Sequence, residues 1–247
     1  MPLAHRYALY LAPTGPWRDL GSRWLGRCAD TGAALPPLPG QPDAASDWTR
    51  APRHYGLHAT LKPPFRLRTG TAPEDVDAAA RRLVQDGGTF AIELECEPLR
   101  GFLAWRVAPQ DTDGHARIHA LAAAAVRGLD ELRAPPTADE LARRQPHTLP
   151  PEQQAMLARW GYPYVFDTFT FHITLTGKLE SAALAQAQAA IAAFADPLRG
   201  QAMPVPGVSV YVQPQAGADF IAARHYGFDG THTDAAGAAW LQGPAAA

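Results

Sequence analysis

The sequence predicts an α+β protein made of two similar halves. Strand patterns of period two alternate with helical patterns of apolar side chains. The order helix, histidine-bearing strand, helix and hairpin occurs twice along the 247 residues, whose 47% hydrophobic content is enough for a sizeable core. We therefore expect one domain over residues 1–230, with lobes at 6–109 and 114–228, an insertion at 134–164 and a weakly structured tail at 231–247.

The first half opens with a strand that Pro13 and Gly15 end. The helix after it places Trp17 and Trp24 along one apolar stripe, which is typical of a helix packed on a core. The predicted elements are a strand at 6–12, a helix at 16–30, an exposed loop at 31–52, a strand at 55–61, a helix at 73–86, and a hairpin of strands at 89–98 and 102–108.

The second half repeats this order with one interruption. The stretch after its first helix carries prolines and polar residues, so we interpret it as an insertion that forms a lid or covers an edge. The alanine runs are ordinary helix formers rather than membrane spans. The predicted elements are helices at 114–133 and 181–195 and strands at 168–176, 205–212 and 219–228.

The composition of the chain indicates which classes of ligand and partner it binds. A net charge of -2 and a pI near 6.5 give no basic field for long nucleic acid, so a small anionic ligand fits better. Cys28 and Cys96 are too few for a disulfide framework. Neither a signal-peptide pattern nor a long apolar run occurs, so we expect a cytoplasmic protein without a membrane partner, as a monomer or weak dimer.

The sharpest local signal is the tetrapeptide His-x-Thr-Leu, which occurs at the same place in each half. His58 and Thr60 belong to the first copy, and His172 and Thr174 to the second. Because strand side chains alternate, each histidine and its threonine share one face, while the apolar residues between and around them face the core. Each strand thus offers an imidazole and a hydroxyl side by side.

These groups suit the cleavage of a phosphodiester. One group must take a proton from the attacking water or hydroxyl, and another must give a proton to the departing oxygen. With an unperturbed pKa near 6.5, one imidazole can be neutral while its partner is charged. Threonine hydroxyls can hydrogen-bond the non-bridging oxygens. We predict no cofactor and no metal for this chemistry.

The paired motifs resemble the signature of the 2H phosphoesterase superfamily. The resemblance covers about residues 6–228 and implies a bilobal α+β fold, in which each lobe has an antiparallel sheet flanked by helices. It also implies a central groove on a pseudo-two-fold axis and metal-independent catalysis. The roles it implies fall on His58, Thr60, His172 and Thr174. The longer strings Tyr-Gly-Leu-His-Ala-Thr-Leu-Lys-Pro-Pro-Phe and Phe-His-Ile-Thr-Leu-Thr-Gly also resemble a subgroup described as phosphonate-metabolism proteins. That subgroup suggests a ribosyl cyclic phosphate, opened to a phosphomonoester, as substrate.

Further residues are candidates for substrate binding. The chain has only two lysines, Lys62 and Lys178, at even offsets after the motif histidines, which predicts that both lie on the histidine face. The alternative is that they are solubilising charges at strand ends. Tyr55, Arg224 and His225 are candidates from the motif strand and the last strand, with a packed aromatic edge as the alternative for His225.

Two other functions stay open at the level of sequence. A non-catalytic protein that binds a nucleotide or phosphate could use the same groove. A metallohydrolase could instead use His54, His58 and either His115 or His119, although no nearby Cys or Glu completes a ligand set.

Overall fold

The computed structural model describes residues 3–243. Ten strands form at Arg6–Leu11 (β1), Ala59–Phe65 (β2), Phe90–Ile92 (β3), Leu94–Leu99 (β4), Phe102–Val107 (β5), Ile173–Thr174 (β6), Met203–Val205 (β7), Gly207–Gln213 (β8), Ile221–Gly227 (β9) and His232–Asp234 (β10). The α-helices span Gly15–Leu25 (α1), Ala45–Trp48 (α2), Arg50–Arg53 (α3), Pro73–Gln85 (α4), Thr112–Leu129 (α5), Ala138–Arg143 (α6), Pro151–Trp160 (α7) and Ser181–Ala195 (α8).

The predicted α+β class, with antiparallel strands flanked by helices, is present. Strands from both halves join in one eight-stranded sheet of order β10-β9-β8-β1-β2-β6-β5-β4, and β3 pairs with β7 in a second small sheet. We expected one sheet for each half, whereas the structure has a continuous sheet because the two motif strands, β2 and β6, pair with each other.

The register of that central pair is symmetric. Ala59 lies opposite Ile173, and both occupy the x position of their His-x-Thr-Leu motifs. On the outer sides, β1 pairs with β2 and β5 pairs with β6. The two motifs are therefore related by a local two-fold axis that passes between Ala59 and Ile173.

The main core lies on the face of the sheet opposite the motif histidines. Leu57, Ala59, Leu61 and their counterparts in the second motif are buried there, with helices α1, α4, α5 and α8 packed over them. Helix α1 approaches closely at Gly21, where a Cβ would lie 2.6 Å from the Leu57 side chain. Fully buried Trp24 then donates a hydrogen bond from its indole nitrogen to the Leu175 carbonyl oxygen, at 2.9 Å.

The insertion at 134–164 contains the helices α6 and α7. The tail differs from our expectation, because β10 pairs with β9 and a 3₁₀ turn at Ala238–Leu241 buries Leu241 in the main core. Residues 244–247 of the predicted tail lie outside the described part of the chain. Cys28 and Cys96 are both free thiols, and none of the helices within residues 3–243 has the length and apolar character to cross a membrane.

Candidate functional site

The central strand pair brings the four motif side chains onto one face. Since Ala59 faces Ile173 in an antiparallel register, His58 lies beside Thr174, and Thr60 lies beside His172. The histidines and threonines are partly exposed, whereas the alternating residues behind them are buried. The structure thus brings together the four residues that the sequence singled out.

Each imidazole is held by the backbone two residues before it. The Nδ1 atom of His58 lies 2.9 Å from the Gly56 carbonyl oxygen, and that of His172 lies 2.8 Å from the Thr170 carbonyl oxygen. A carbonyl oxygen only accepts, so Nδ1 carries the hydrogen in both rings and Nε2 of a neutral ring keeps its lone pair. Two equivalent rings are therefore fixed in the same tautomer.

The carbonyl that holds His58 depends on a glycine. Gly56 has a φ of 75°, a conformation that glycine adopts without strain, and a Cβ there would lie 2.6 Å from the Ala29 Cβ. Behind this turn, the Thr60 hydroxyl donates a hydrogen bond to His58 Nε2 at 3.2 Å. The first motif is thus a network of backbone, imidazole and hydroxyl.

Electrostatics favour the neutral form of both rings. Burial lowers the pKa of His58 to about 4, against a raising contribution from its bond to Gly56, and a charge on His172 lowers it further. Burial also lowers the pKa of His172, and the nearby Arg100 and Arg106 guanidinium groups add to this shift. Both histidines are consequently proton acceptors at neutral pH in the free protein.

Aromatic rings surround the first histidine. The Tyr10 ring stacks on His58 with 3.8 Å between ring centroids and 23° between planes. Tyr55 lies 6.0 Å from His58 by ring centroids and Tyr211 lies 6.4 Å away, whereas the aromatic ring nearest to His172, that of Phe102, is tilted at 5.7 Å. Tyr55 is 38% exposed and lies in the turn before β2, next to the first motif.

A cavity of about 270 Å³ extends from Tyr55 between the sheet and the insertion. Five arginines line it, together with a single acidic residue, Glu140: Arg6, Arg66, Arg133, Arg143 and Arg144. Glu140 accepts hydrogen bonds from Arg6 and Arg66, each at 3.3 Å. These arginines belong to neither motif, and the one sequence signal for them is the use of arginine in place of lysine almost throughout the chain.

Lys62 does not lie in the groove, which corrects the prediction from its even offset. Thr60 pairs with Tyr10, but Lys62 pairs with Leu9, so the register shifts at Leu61 and turns Lys62 to the core face. There Lys62 is 1% exposed and donates a hydrogen bond to Asp130 at 2.8 Å.

Lys178 is exposed and lies beyond the end of β6, off the motif strand. Arg224 was also predicted to bind substrate, but it bonds to Asp77 of α4 at 2.7 Å and to Asp234. Because α4 packs on the core face, Arg224 points away from the histidines. Arg224 precedes His225 directly in β9, so the two side chains alternate to opposite faces of the sheet.

His225 shares the histidine face but lies further along the sheet. Across successive neighbouring strands, His225 pairs with Ser209, Ser209 pairs with Tyr10, and Tyr10 pairs with Thr60. Its Nδ1 atom lies 2.6 Å from the Ser209 hydroxyl and its Nε2 atom 3.2 Å from an Asp30 oxygen. His225 therefore belongs to a separate polar cluster three strands away from Thr60.

The other histidines do not converge on a metal site. His54 bonds to Asp219 at 2.8 Å, and the His115 and His119 rings are 6.5 Å apart. Within residues 3–243, no group of three or more His, Cys, Asp or Glu side chains is arranged to hold a metal ion.

Fold and site together define an α+β protein whose two equivalent strands present paired imidazoles beside an arginine-lined cavity. The chain belongs to the family described as protein of unknown function DUF1045, whose profile matches residues 60–221. That match includes Thr60, both residues of the second motif and the whole insertion.

The chain is similar to two curated proteins, both named Ribose 1,5-bisphosphate phosphokinase PhnN. The protein from Laribacter hongkongensis (strain HLHK9) is 38% identical over 224 residues, covering 89% of this chain and 51% of the relative. The protein from Janthinobacterium sp. (strain Marseille) is 41% identical over 181 residues, covering 70% and 39%. The chain thus spans about half the length of the first relative and about two fifths of the second.

Proposed function

We propose that the protein is a metal-independent phosphodiesterase that opens a small cyclic phosphodiester by two-histidine acid and base catalysis. The observation that supports this function most directly is the equivalent placement of two Nδ1-protonated imidazoles on paired strands. One Nε2 takes a proton from water as its oxygen attacks phosphorus. The other, protonated in the productive complex, gives its proton to the departing ring oxygen, so water is added across one P–O bond.

The threonines complete the reaction site in this proposal. Thr174 lies beside His58 and Thr60 beside His172 in the strand register, so each hydroxyl is adjacent to the imidazole of the other motif. Hydroxyl donors placed there stabilise the charge that accumulates on the non-bridging oxygens.

The arginine-lined cavity suggests a substrate with a second anionic group. Arginine binds phosphate oxygens through paired N–H donors. The five lining arginines outnumber the carboxylates that pair with them, Glu140 and the Asp130 bonded to Arg133 at 2.9 Å, so the cavity is cationic. A ribosyl cyclic phosphate with a further phosphate fits both regions. If the further phosphate is on C5, breaking the bond between phosphorus and the C2 oxygen of a 1,2-cyclic phosphate yields ribose 1,5-bisphosphate. This compound is named in the names of both relatives. A role in phosphonate breakdown is part of this proposal.

The sequence does not favour a kinase function for the chain itself. A Gly-x4-Gly-Lys-Ser/Thr loop, which cradles nucleotide phosphates in many kinases, does not occur in the 247 residues.

A phosphorus NMR screen of the purified protein against ribosyl and nucleotide cyclic phosphates tests the proposal. We expect a new monoester resonance, its survival under exhaustive chelation, and a loss of about 10²-fold or more in kcat for His58→Gln and for His172→Gln. His147→Gln, an exposed histidine of the insertion, is the matched control. Tight binding without turnover would favour the phosphate-binding regulator instead, and loss of activity on chelation would favour a metallohydrolase.

The arginine cavity has its own test with the same substrates. Arg66→Ala should raise KM about ten-fold or more for a cyclic phosphate with a second phosphate, and leave KM for a cyclic phosphate without one unchanged. Equal effects on both substrates would remove the second anion from the proposal.

A further inference from the structure

Tyr10 distinguishes two motifs that are otherwise equivalent. It lies on β1 directly opposite Thr60, and its ring covers one face of the His58 imidazole at 3.8 Å. The equivalent neighbour of Thr174, on β5, is Ala104. The Tyr10 ring therefore stacks on His58, whereas Phe102 of β5 lies tilted at 5.7 Å from His172.

The hydroxyl of Tyr10 is a second, independent observation. Tyr10 is 0% exposed, and its hydroxyl has no hydrogen-bond partner within the described residues. Burying an unpaired hydroxyl is unfavourable, and phenylalanine would fill the same space without that cost. Tyr211 and Phe220 already pack around the ring, at 5.0 and 6.3 Å between centroids. A hydroxyl kept in such a place needs a partner that the protein itself does not supply.

We propose that Tyr10 is a positioning residue for His58, and that its hydroxyl donates a hydrogen bond to an oxygen atom of the bound substrate. This inference rests on the function proposed above. The Gly56 carbonyl fixes the direction of Nδ1, and the Tyr10 ring fixes the plane of the imidazole. Together they fix the direction of His58 Nε2, which accepts the Thr60 hydrogen bond in the free protein and exchanges it for a proton of the reacting groups in catalysis.

Tyr10→Phe tests the hydroxyl. With the cyclic phosphate identified by the NMR screen, we expect kcat/KM to fall about ten-fold while the melting temperature stays level or rises, since an unpaired buried hydroxyl has been removed. Tyr7→Phe, which changes a buried tyrosine of β1 in the main core, should leave kcat/KM unchanged. A wild-type kcat/KM in Tyr10→Phe would overturn the hydroxyl's role.

Tyr10→Leu tests the ring without relying on turnover. In a ¹H–¹⁵N NMR titration of the free protein, we expect the His58 pKa to rise by about one unit and its Nδ1-protonated tautomer to lose dominance, because water gains access to the ring. Phe220→Leu should change neither. An unchanged His58 titration would overturn the positioning role. A wild-type protein that turns over no cyclic phosphate, but whose His58 titration depends on Tyr10, would overturn the proposed function alone. If Tyr10→Leu does not fold, Tyr10→Phe still decides the role of the hydroxyl.

Discussion

Acid stability offers a test of the His58 environment that needs no substrate. Burial holds the pKa of this histidine at about 4, against a value of 6.5 for an unperturbed side chain. Between these values the unfolded chain binds a proton that the folded protein does not, so the free energy of unfolding rises with pH. The contribution of His58 is therefore fully present above pH 6.5 and is lost as the pH falls towards 4.

The magnitude follows from the two pKa values. Protonation of the unfolded chain alone costs about 1.4 kcal/mol per pH unit, so His58 should destabilise the fold by about 1.2 kcal/mol at pH 5.5 and about 2.4 kcal/mol at pH 4.5, relative to pH 7. These figures are upper estimates, because the ring is partly exposed. Carboxyl groups whose pKa is lowered in the fold also contribute at the acid end of this window, and the comparison with a variant that lacks His58 subtracts their contribution.

Urea unfolding at about pH 7, 5.5 and 4.5 measures the effect. His58→Gln should be less sensitive to acid than the wild type by about 2 kcal/mol at the lowest pH. His147→Gln, which removes an exposed histidine, should follow the wild-type curve. If His58→Gln and the wild type lose the same free energy between pH 7 and 4.5, the imidazole is not held neutral by burial, and the argument for its state in the free protein is wrong.

The maximum of kcat/KM should lie at a lower pH than the maximum of kcat. The first reports the histidine pKa values of the free protein, and the second reports those of the complex, in which a bound anionic phosphate raises them. Coincident maxima would contradict this. Lys62→Met should lower the free energy of unfolding by about 1–3 kcal/mol in urea titrations, since Asp130 loses a buried partner, and leave KM unchanged; a raised KM would return Lys62 to the groove. Gly207→Ala should prevent stable folding, because a Cβ there would lie 1.8 Å from the Tyr226 carbonyl oxygen. Gly88→Ala has open space around it and should melt like the wild type by circular dichroism.

Local patterns predicted the parts of the fold that local geometry determines. The helix expected at 181–195 has those bounds, and the helix expected at 73–86 ends one residue earlier. The side-chain alternation of the motif strands also predicted which face carries His58 and which faces the core. Period two depends only on the extended backbone, so it can be followed in a sequence wherever the strand stays regular.

The same rule was wrong where the strand is irregular. Lys62 was placed by counting along β2, and it lies next to a register shift that turns it to the other face. Such a bulge forms between two paired strands, so the sequence of one strand alone does not predict its position. The tail escaped prediction for a related reason. Its strand β10 forms by pairing with the edge strand β9. Its few apolar residues, such as Leu241, pack into a core that distant parts of the chain form.

The local two-fold axis has a consequence for how selectivity arises. Its two motifs present the same imidazole, hydroxyl and backbone carbonyl, so the pair by itself treats both sides of a phosphodiester alike. A preference for one substrate orientation must come from groups that the axis does not repeat. Those groups are Tyr10, whose equivalent in the second motif is Ala104, and the arginines beside His172. The insertion is a third, because it brings Glu140 and its neighbouring arginines to one end of the groove. In the proposed enzyme, the repeated residues perform proton transfer and the unrepeated ones decide which end of the substrate lies where.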